Sequence, residues 1–312
     1  MPSPNRQTVT YLQRRFKEAG IWPETRHGQN FLIDLNLLDV LAEAARPGPR
    51  DVILEVGTGM GSLTAMLAEH AAAVVTVEID TRLYAMAGDE LADFENVVML
   101  LQDALKSKNQ LHPAVMEAVR VQMAAGPGRR FKVAANLPYN VATPILSNLL
   151  TADPLPVSMT ATIQKELADR MVATPGSKDY SALSIWMQAL CEIEVVRILP
   201  PQVFWPKPKV HSAIINIIPN ATKRAKISDV EFFHHFVRSL FLHRRKFLRS
   251  SLVHVLADKL DKAGVDDVLA SLSYPADVRA EQLDVEEILA LSEAFRVRLG
   301  EMGAETQAPS EE

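Results

Sequence analysis

The stretch Glu55-Val56-Gly57-Thr58-Gly59-Met60-Gly61 constrains this chain more than any other, because three alternate glycines separate an apolar run from a helix-compatible one. Glycine at 57, 59 and 61 lets the backbone turn tightly and lets a ligand approach where a Cβ would obstruct it. The flanking pattern predicts a strand over 51–56, a helix over 62–70, a strand over 74–79, a helix over 82–91 and a strand over 97–101. Strand and helix alternating at this spacing is the doubly wound α/β arrangement with right-handed crossovers. A further amphipathic helix, 36–45, comes before it and is ended by Pro47-Gly48.

Later in the chain the segment 104–130 is polar and closes with Gly126-Pro127-Gly128-Arg129-Arg130, as a long crossover whose turn delivers a strand at 131–135. A strand at 157–163 and helices at 165–171 and 181–190 follow. Two β-rich runs, 192–199 and 210–218, flank the proline-stiffened insert Pro200 to Pro208 and are expected as antiparallel neighbours at the far side of the sheet. Beyond Pro219-Asn220 the pattern turns helical, over 228–243, 248–260, 265–272 and 285–298, which places a domain boundary near 220. The tail 303–312 is expected to be disordered.

With 312 residues, 48% of them hydrophobic, the chain has room for one sizeable domain and a smaller one. Its single cysteine, Cys191, lies in an apolar run and excludes an intramolecular disulfide, which points to a reducing compartment and a packing role. The eight histidines form no thiolate-paired or HExxH spacing, so structural zinc is not expected. No apolar run reaches membrane-spanning length, and a cytoplasmic location is the default expectation. The net charge of −5 hides a basic segment: residues 223–249 carry eight Lys/Arg against two Asp/Glu.

Glu78 ends the second strand, within Val77-Glu78-Ile79-Asp80, where a carboxylate can accept both hydroxyl hydrogens of a ribose. Asp80 competes for that role, and the earlier position favours Glu78. Asp103, followed by Ala104, ends the third strand, well placed to accept from an adenine amine. A dinucleotide loop of the form GxGxxG requires glycine at 62, where the chain has Ser62, so a nicotinamide enzyme is the less favoured reading. Gly57, Gly59, Gly61, Glu78, Asp103 and Ala104 together resemble the S-adenosylmethionine site of class I methyltransferases.

After the strand at 131–135 stands Asn136-Leu137-Pro138-Tyr139, at the sheet mouth where α/β ligands sit. By itself Asn-x-Pro is a common turn. With the cofactor-type loop upstream, the chain resembles the ribosomal RNA adenine dimethyltransferases, the bacterial small-subunit group in particular. The resemblance runs from His27 to about Leu291. It is carried by His27-Gly28-Gln29-Asn30-Phe31-Leu32, the loop Gly57 to Gly61, Asn136 to Asn140, Gln164-Lys165-Glu166, Phe204-Trp205-Pro206-Lys207-Pro208-Lys209-Val210 with Ser212-Ala213, Arg244-Arg245-Lys246 with Leu248-Arg249-Ser250-Ser251-Leu252, and Arg279-Ala280-Glu281-Gln282-Leu283.

That resemblance implies a class I methyltransferase domain, Rossmann-like with a mostly parallel sheet, over 31–220. A segment 1–30 would border the cofactor and RNA sites, and a small all-helical RNA-binding domain would cover 221–302. It implies S-adenosylmethionine contacts at Asn30, Leu32, Gly57, Glu78, Asp103 and Asn136, with Gln29 close by. It implies transfer of two methyl groups to adenosine N6 in small-subunit ribosomal RNA, on two adjacent adenosines of a 3′-terminal hairpin loop, within an assembling small subunit. Asn136 and the Pro138 carbonyl would accept from N6 and Tyr139 would stack on the base. Phe204 is either a second aromatic wall or an anchor at a domain interface, and Trp205 is a packing residue. A basic helix with Arg238, Arg244, Arg245, Lys246 and Arg249 would meet RNA phosphates. Family members commonly have Gly-Pro-Gly where Thr58 stands, and the 104–128 stretch is longer than theirs, as if an added surface helix. Neither a membrane nor a second protomer is implied. The alternatives are the large-subunit adenine N6-methyltransferases of macrolide-resistance type and a mainly non-catalytic ribosome-maturation factor.

Overall fold

The computed structural model describes residues 9–18, 20, 29–275 and 277–305. Most of the expected 1–30 segment, His27-Gly28 included, and residues 306–312 of the tail lie outside them. Seven strands form one sheet: β1 (Asp51–Val56), β2 (Ala73–Glu78), β3 (Val97–Leu101), β4 (Arg130–Asn136), β5 (Ser158–Gln164), β6 (Cys191–Leu199) and β7 (Ser212–Pro219), in the order β3-β2-β1-β4-β5-β7-β6. The first five run parallel. β7 is antiparallel to β5, with Ser212 opposite Gln164.

Every residue of β1 and β2 is buried, as strands covered on both faces require. Val52-Ile53-Leu54 and Val74-Val75 meet that demand, whereas Asp51 at the end of β1 needs partners. Lys132 on β4 supplies one, its Nζ 2.8 Å from the Asp51 carboxylate. The same ammonium donates to the carbonyls of Ala45 (3.2 Å) and Arg46 (2.6 Å) at the end of the helix Leu35–Ala45. A buried lysine is tolerated there because its charge is paired with Asp51 and two of its hydrogens go to carbonyls.

The 104–130 segment departs from a surface helix. A short hairpin, Leu105–Ser107 with Gln110–Leu111, precedes the helix Pro113–Ala124. That helix buries Val115, Met116 and Val119 and packs against β1, β2 and β4, so it is a layer of the fold. His112 caps it and Pro113 begins it.

The chain divides into two compact units, one of Met1–Ala168 with Ile193–Pro219 and one of Asp169–Glu192 with the residues from Asn220 onward. A single cut near 220 therefore misses the stretch Asp169–Glu192. Within the second unit that stretch is held by ring stacking of Trp186 on Phe233 (6.4 Å) and by the buried Tyr180 hydroxyl, which donates to the Leu283 carbonyl at 2.9 Å. Its helices are Ala182–Leu190, Ala221–Arg224, Val230–Phe241, Leu248–Val255, Lys262–Ser271 and Val285–Glu305. The last extends through 303–305, residues expected in the disordered tail. Cys191 is buried, which pushes its thiol up to about 12. Among the described residues no helix is long and apolar enough to cross a membrane.

Candidate functional site

A cavity of about 370 Å³ opens beyond the carboxyl ends of β1 to β4, where an open α/β sheet places its ligands. The glycine loop forms one wall. Gly57, at φ +88°, faces the opposite wall, where a Cβ would make ordinary contact with the Pro138 ring at 3.5 Å. Gly59, at φ +58°, would place a Cβ 3.2 Å from the Phe31 ring. Both positions therefore need glycine for conformation, and Gly59 for space as well.

Glu78 organises the loop from below. It is 5% exposed and its carboxylate accepts backbone N–H groups from Gly59 (2.9 Å), Ile79 (2.9 Å) and Asp80 (3.0 Å). Burial pushes its carboxyl above the usual range, against the pull of those three bonds. An ionised carboxylate has about four lone-pair directions, so one remains for a ligand hydroxyl. Asp80 is spent elsewhere, capping the helix Thr81–Glu90 through the N–H groups of Arg82 (2.8 Å) and Leu83 (3.2 Å). Asp103 and Ala104 line the cavity, Asp103 also accepting from the Leu105 N–H at 2.8 Å.

Gln29, Asn30, Leu32, Gly57, Gly59, Glu78, Asn136 and Pro138 all line the same cavity, as do residues that sequence reasoning missed. Gly61 stands just outside, starting the helix Ser62–Ala68. Leu12 reaches the cavity from the helix Val9–Glu18, whose Phe16 packs edge-on against Phe31 (5.3 Å) and Trp205 (5.2 Å). The i, i+4 spacing of Leu12 and Phe16 was the available signal. Ser62 Oγ and Gln102 Nε2 are buried in the lining with no hydrogen-bond partner among the described residues. Such atoms call for a polar ligand.

Glu55, also missed, lies fully buried under the loop. Its Oε2 accepts from the hydroxyls of Thr64 (2.5 Å) and Thr76 (2.7 Å), and Thr76 is 2.6 Å from the Thr58 hydroxyl. Desolvation pushes the Glu55 carboxyl up to about 8 despite the threonines. Thr58 thus ties into this chain through its side chain, and its N–H is turned to the Val77 carbonyl (3.3 Å) and away from any ligand.

Across the cavity the Asn136 amide donates to the Asn30 carbonyl at 2.9 Å, an orientation that leaves its Oδ1 as an open acceptor. The Pro138 carbonyl accepts from the Val141 N–H at 3.1 Å and keeps one lone pair. The Tyr139 hydroxyl is 2.5 Å from Ser212 Oγ, and burial pushes the phenol pKa up, which keeps it neutral.

Phe204 is a correction. It is 2% exposed and packs in a core with Leu32, Leu38 and Leu199, because Phe204–Trp205 pairs as a two-residue strand with Phe31–Leu32. It is not a wall of the cavity. The basic helix is a second correction. Arg238 closes the helix Val230–Phe241, Arg244 to Lys246 stand in the turn that follows, and Arg249 begins the next helix. The break is imposed by backbone bonds, Lys246 N–H to the His243 carbonyl and Leu248 N–H to the Val278 carbonyl, both 2.8 Å. Arg244 donates to the carbonyls of Tyr180 and Lys178 and pairs with Glu281 at 3.5 Å, while Arg249 grips Asp266 at 2.5 and 2.7 Å. Arg238, Arg245 and Lys246 are exposed.

The sheet order, with a cavity of glycines and carboxylates beyond the strand ends, is that of a class I S-adenosylmethionine-dependent methyltransferase. The family model described as "Ribosomal RNA adenine dimethylase" matches residues 23–291, and the chain belongs to that family. It is 39% identical over 270 residues to the ribosomal RNA small subunit methyltransferase A of Bacillus cytotoxicus, covering 86% of this chain and 89% of the relative. The protein of that name from Moorella thermoacetica is 36% identical, over 90% of this chain and 95% of its own. Among solved structures, a dimethyladenosine transferase from Plasmodium falciparum superposes with a TM-score of 0.71 at 25% identity, over 85% of this chain and 97% of that one. The 23S rRNA methyltransferase ErmE gives 0.59 at 26%, over 86% and 100%. The chain is an S-adenosylmethionine-dependent ribosomal RNA adenine methyltransferase.

Proposed function

We propose that the chain places two methyl groups on N6 of each of two adjacent adenosines in a 3′-terminal hairpin loop of small-subunit ribosomal RNA, in the cytoplasm, on an assembling small subunit. Similarity to small-subunit methyltransferases along nearly their whole length supports this choice of RNA.

The observation that carries the chemistry is the Asn136 amide, whose N–H is held by the Asn30 carbonyl so that Oδ1 is left to accept. S-adenosylmethionine supplies an electrophilic methyl carbon on a sulfonium. Gln29, Asn30, Leu32, the glycine loop, Glu78, Asp103 and Ala104 hold it, with Ser62 and Gln102 meeting its polar groups. Adenine N6 is a poor nucleophile because its lone pair is delocalised into the ring. Asn136 Oδ1 and the free lone pair of the Pro138 carbonyl accept its hydrogens, favour a more tetrahedral nitrogen and stabilise its growing positive charge. Tyr139 stacks on the extruded base, a contact worth roughly 1–3 kcal/mol. With S-adenosylmethionine held there, its methyl would pass to N6, S-adenosylhomocysteine would be left, and the surplus N6 proton would go to solvent. Alignment is the main contribution, since holding the two centres in line makes the encounter effectively intramolecular. Arg238, Arg245 and Lys246 contact RNA phosphates; Arg244 and Arg249 chiefly hold the second unit together.

Incubation of unmethylated small subunits, and separately of large-subunit RNA, with labelled cofactor and primer-extension mapping tests the assignment. Dimethylated neighbours in small-subunit RNA are expected. Label confined to large-subunit RNA favours the second reading, to which the likeness to ErmE lends weight.

A further inference from the structure

Two basic elements of the sheet-containing unit lie at the ligand side of the sheet, one leaving the cavity wall at Asp103 and the other ending beside Tyr139. The first is the hairpin Leu105–Ser107 with Gln110–Leu111, which exposes Lys106 and Lys108. It leaves the cavity wall at Asp103, whose carboxylate accepts the Leu105 N–H, and returns where the His112 N–H meets the Ala104 carbonyl at 2.8 Å. Its tip is tied to the helix Ala142–Leu149, which follows the turn directly, by Asn148 Nδ2 donating to the Lys108 carbonyl at 3.2 Å.

The second element is the loop 206–211, which exposes Lys207, Lys209 and His211. Pro206 and Pro208 flank Lys207 and fix φ on both sides of it, so little conformational freedom is left to lose on binding. The loop ends at Ser212, whose hydroxyl meets Tyr139, and the His211 carbonyl accepts the Lys165 N–H at 2.9 Å.

Exposed lysines are commonly no more than a solvated surface, but three observations argue otherwise. Lys106, Lys108, Lys207 and Lys209 have no ion pair among the described residues, in contrast to Arg244 and Arg249. The chain as a whole carries −5, and Glu78 and Asp103 line the cavity itself, a field that repels phosphate unless cations stand around the mouth. The two loops that carry the lysines both adjoin ligand-side ends of strands, one beginning at Asp103 in the cavity wall and the other ending at Ser212 against Tyr139. Ammonium groups on flexible stems suit phosphate contact, which is insensitive to sequence.

We propose that Lys106 and Lys108 on one side and Lys207 and Lys209 on the other form an RNA-backbone clamp that holds the phosphates flanking the target adenosine; this rests on the RNA-methyltransferase reading above. Base extrusion distorts the backbone on both sides of the extruded nucleotide, so a clamp on both sides holds the displaced geometry.

The test uses the full chain with Lys106→Ala/Lys108→Ala, Lys207→Ala/Lys209→Ala, and the matching pairs of arginine replacements. Binding to a small-subunit 3′-hairpin transcript is measured by filter retention from about 50 to 300 mM KCl. Each phosphate contact contributes roughly 0.7–0.9 to the slope of log affinity against log salt. Each alanine pair is expected to flatten that slope by about 1 to 2 and each arginine pair to preserve it. Thermal melting verifies that the variants fold. A wild-type slope in both alanine pairs overturns the clamp, and so does an arginine pair that loses as much as its alanine counterpart. If the wild-type chain itself fails to bind or methylate the hairpin, the substrate assignment falls and takes the clamp with it. Salt-steep wild-type binding with indifferent lysines removes the clamp alone.

Discussion

Tyr139 and Ser212 share a 2.5 Å hydroxyl contact across 73 residues of sequence, joining the turn after β4 to the first residue of β7. The ring beside the proposed adenine pocket is thereby fixed from the antiparallel edge of the sheet. Tyr139→Phe keeps the ring and loses the bond, and is expected to retain turnover within about tenfold while costing about 1 kcal/mol of stability. Tyr139→Ala loses the ring and should cost roughly 1–3 kcal/mol in transition-state binding, a 5- to 150-fold fall in kcat/KM for RNA. Steady-state methyl transfer checks both, and wild-type turnover in Tyr139→Ala would sink the stacking role.

Glu78 and Gln102 separate loop integrity from ligand recognition. Glu78→Gln keeps an oxygen for Ile79 and Asp80 but turns its NH2 toward the Gly59 N–H and the ligand hydroxyl, so cofactor affinity by calorimetry should fall 10- to 100-fold, about 1.5–3 kcal/mol. Gln102→Leu removes an unsatisfied buried amine, so the ligand-free protein should melt no lower than wild type, yet gain less on adding cofactor. Full cofactor stabilisation of Gln102→Leu would show that its amine faces no ligand.

Glu55 makes stability depend on pH in an unusual direction for a carboxylate. Its folded value near 8 lies above the 4.5 of an ordinary glutamate, so between these values the folded state binds the proton and the unfolded state does not. Its contribution is present in full below about 4.5 and is lost as pH rises through 8, by at most about 1.4 kcal/mol per pH unit. Glu55→Gln, which still accepts from Thr64 and Thr76, should flatten the loss of melting temperature from pH 6 to 9. Parallel profiles for the two proteins would contradict a protonated Glu55.

Arg244 and its neighbours Arg245 and Lys246 should part company. Arg244→Ala strips charge-assisted bonds from the Tyr180 and Lys178 carbonyls and leaves Glu281 unpaired, a cost of about 1–3 kcal/mol visible in denaturant melts. Arg245→Ala with Lys246→Ala should change stability by no more than about 0.5 kcal/mol and yet weaken RNA binding. A double variant that unfolds, or one that binds normally, would contradict that division.

The glycine loop, the five parallel strands and the ligand-side acids were legible because each is local: an apolar run, a turn residue, a carboxylate at a strand end. What escaped is held by distant partners. The hairpin at 105–111 has no apolar alternation, since Lys106, Ser107, Lys108 and Asn109 are all exposed. Phe204 was misread because its burial depends on a two-residue ladder with Leu32, far away in the chain. Arg244 looks like its neighbours in sequence, and only the carbonyls 64 and 66 residues back distinguish it. Glu55 reads as the acid of any glycine loop until Thr64 and Thr76 enclose it.

The reversed direction of β7 has a consequence for how such a scaffold diversifies. Because β7 runs against β5, its beginning arrives at the ligand side of the sheet, bringing residues 206–211 to that side. None of the strands that carry the glycine turn or the acids passes through that loop. On the clamp proposed above, insertions or charge changes there would retune which folded RNA is admitted while the methyl-donor pocket stays intact, leaving client choice and reaction chemistry to evolve separately.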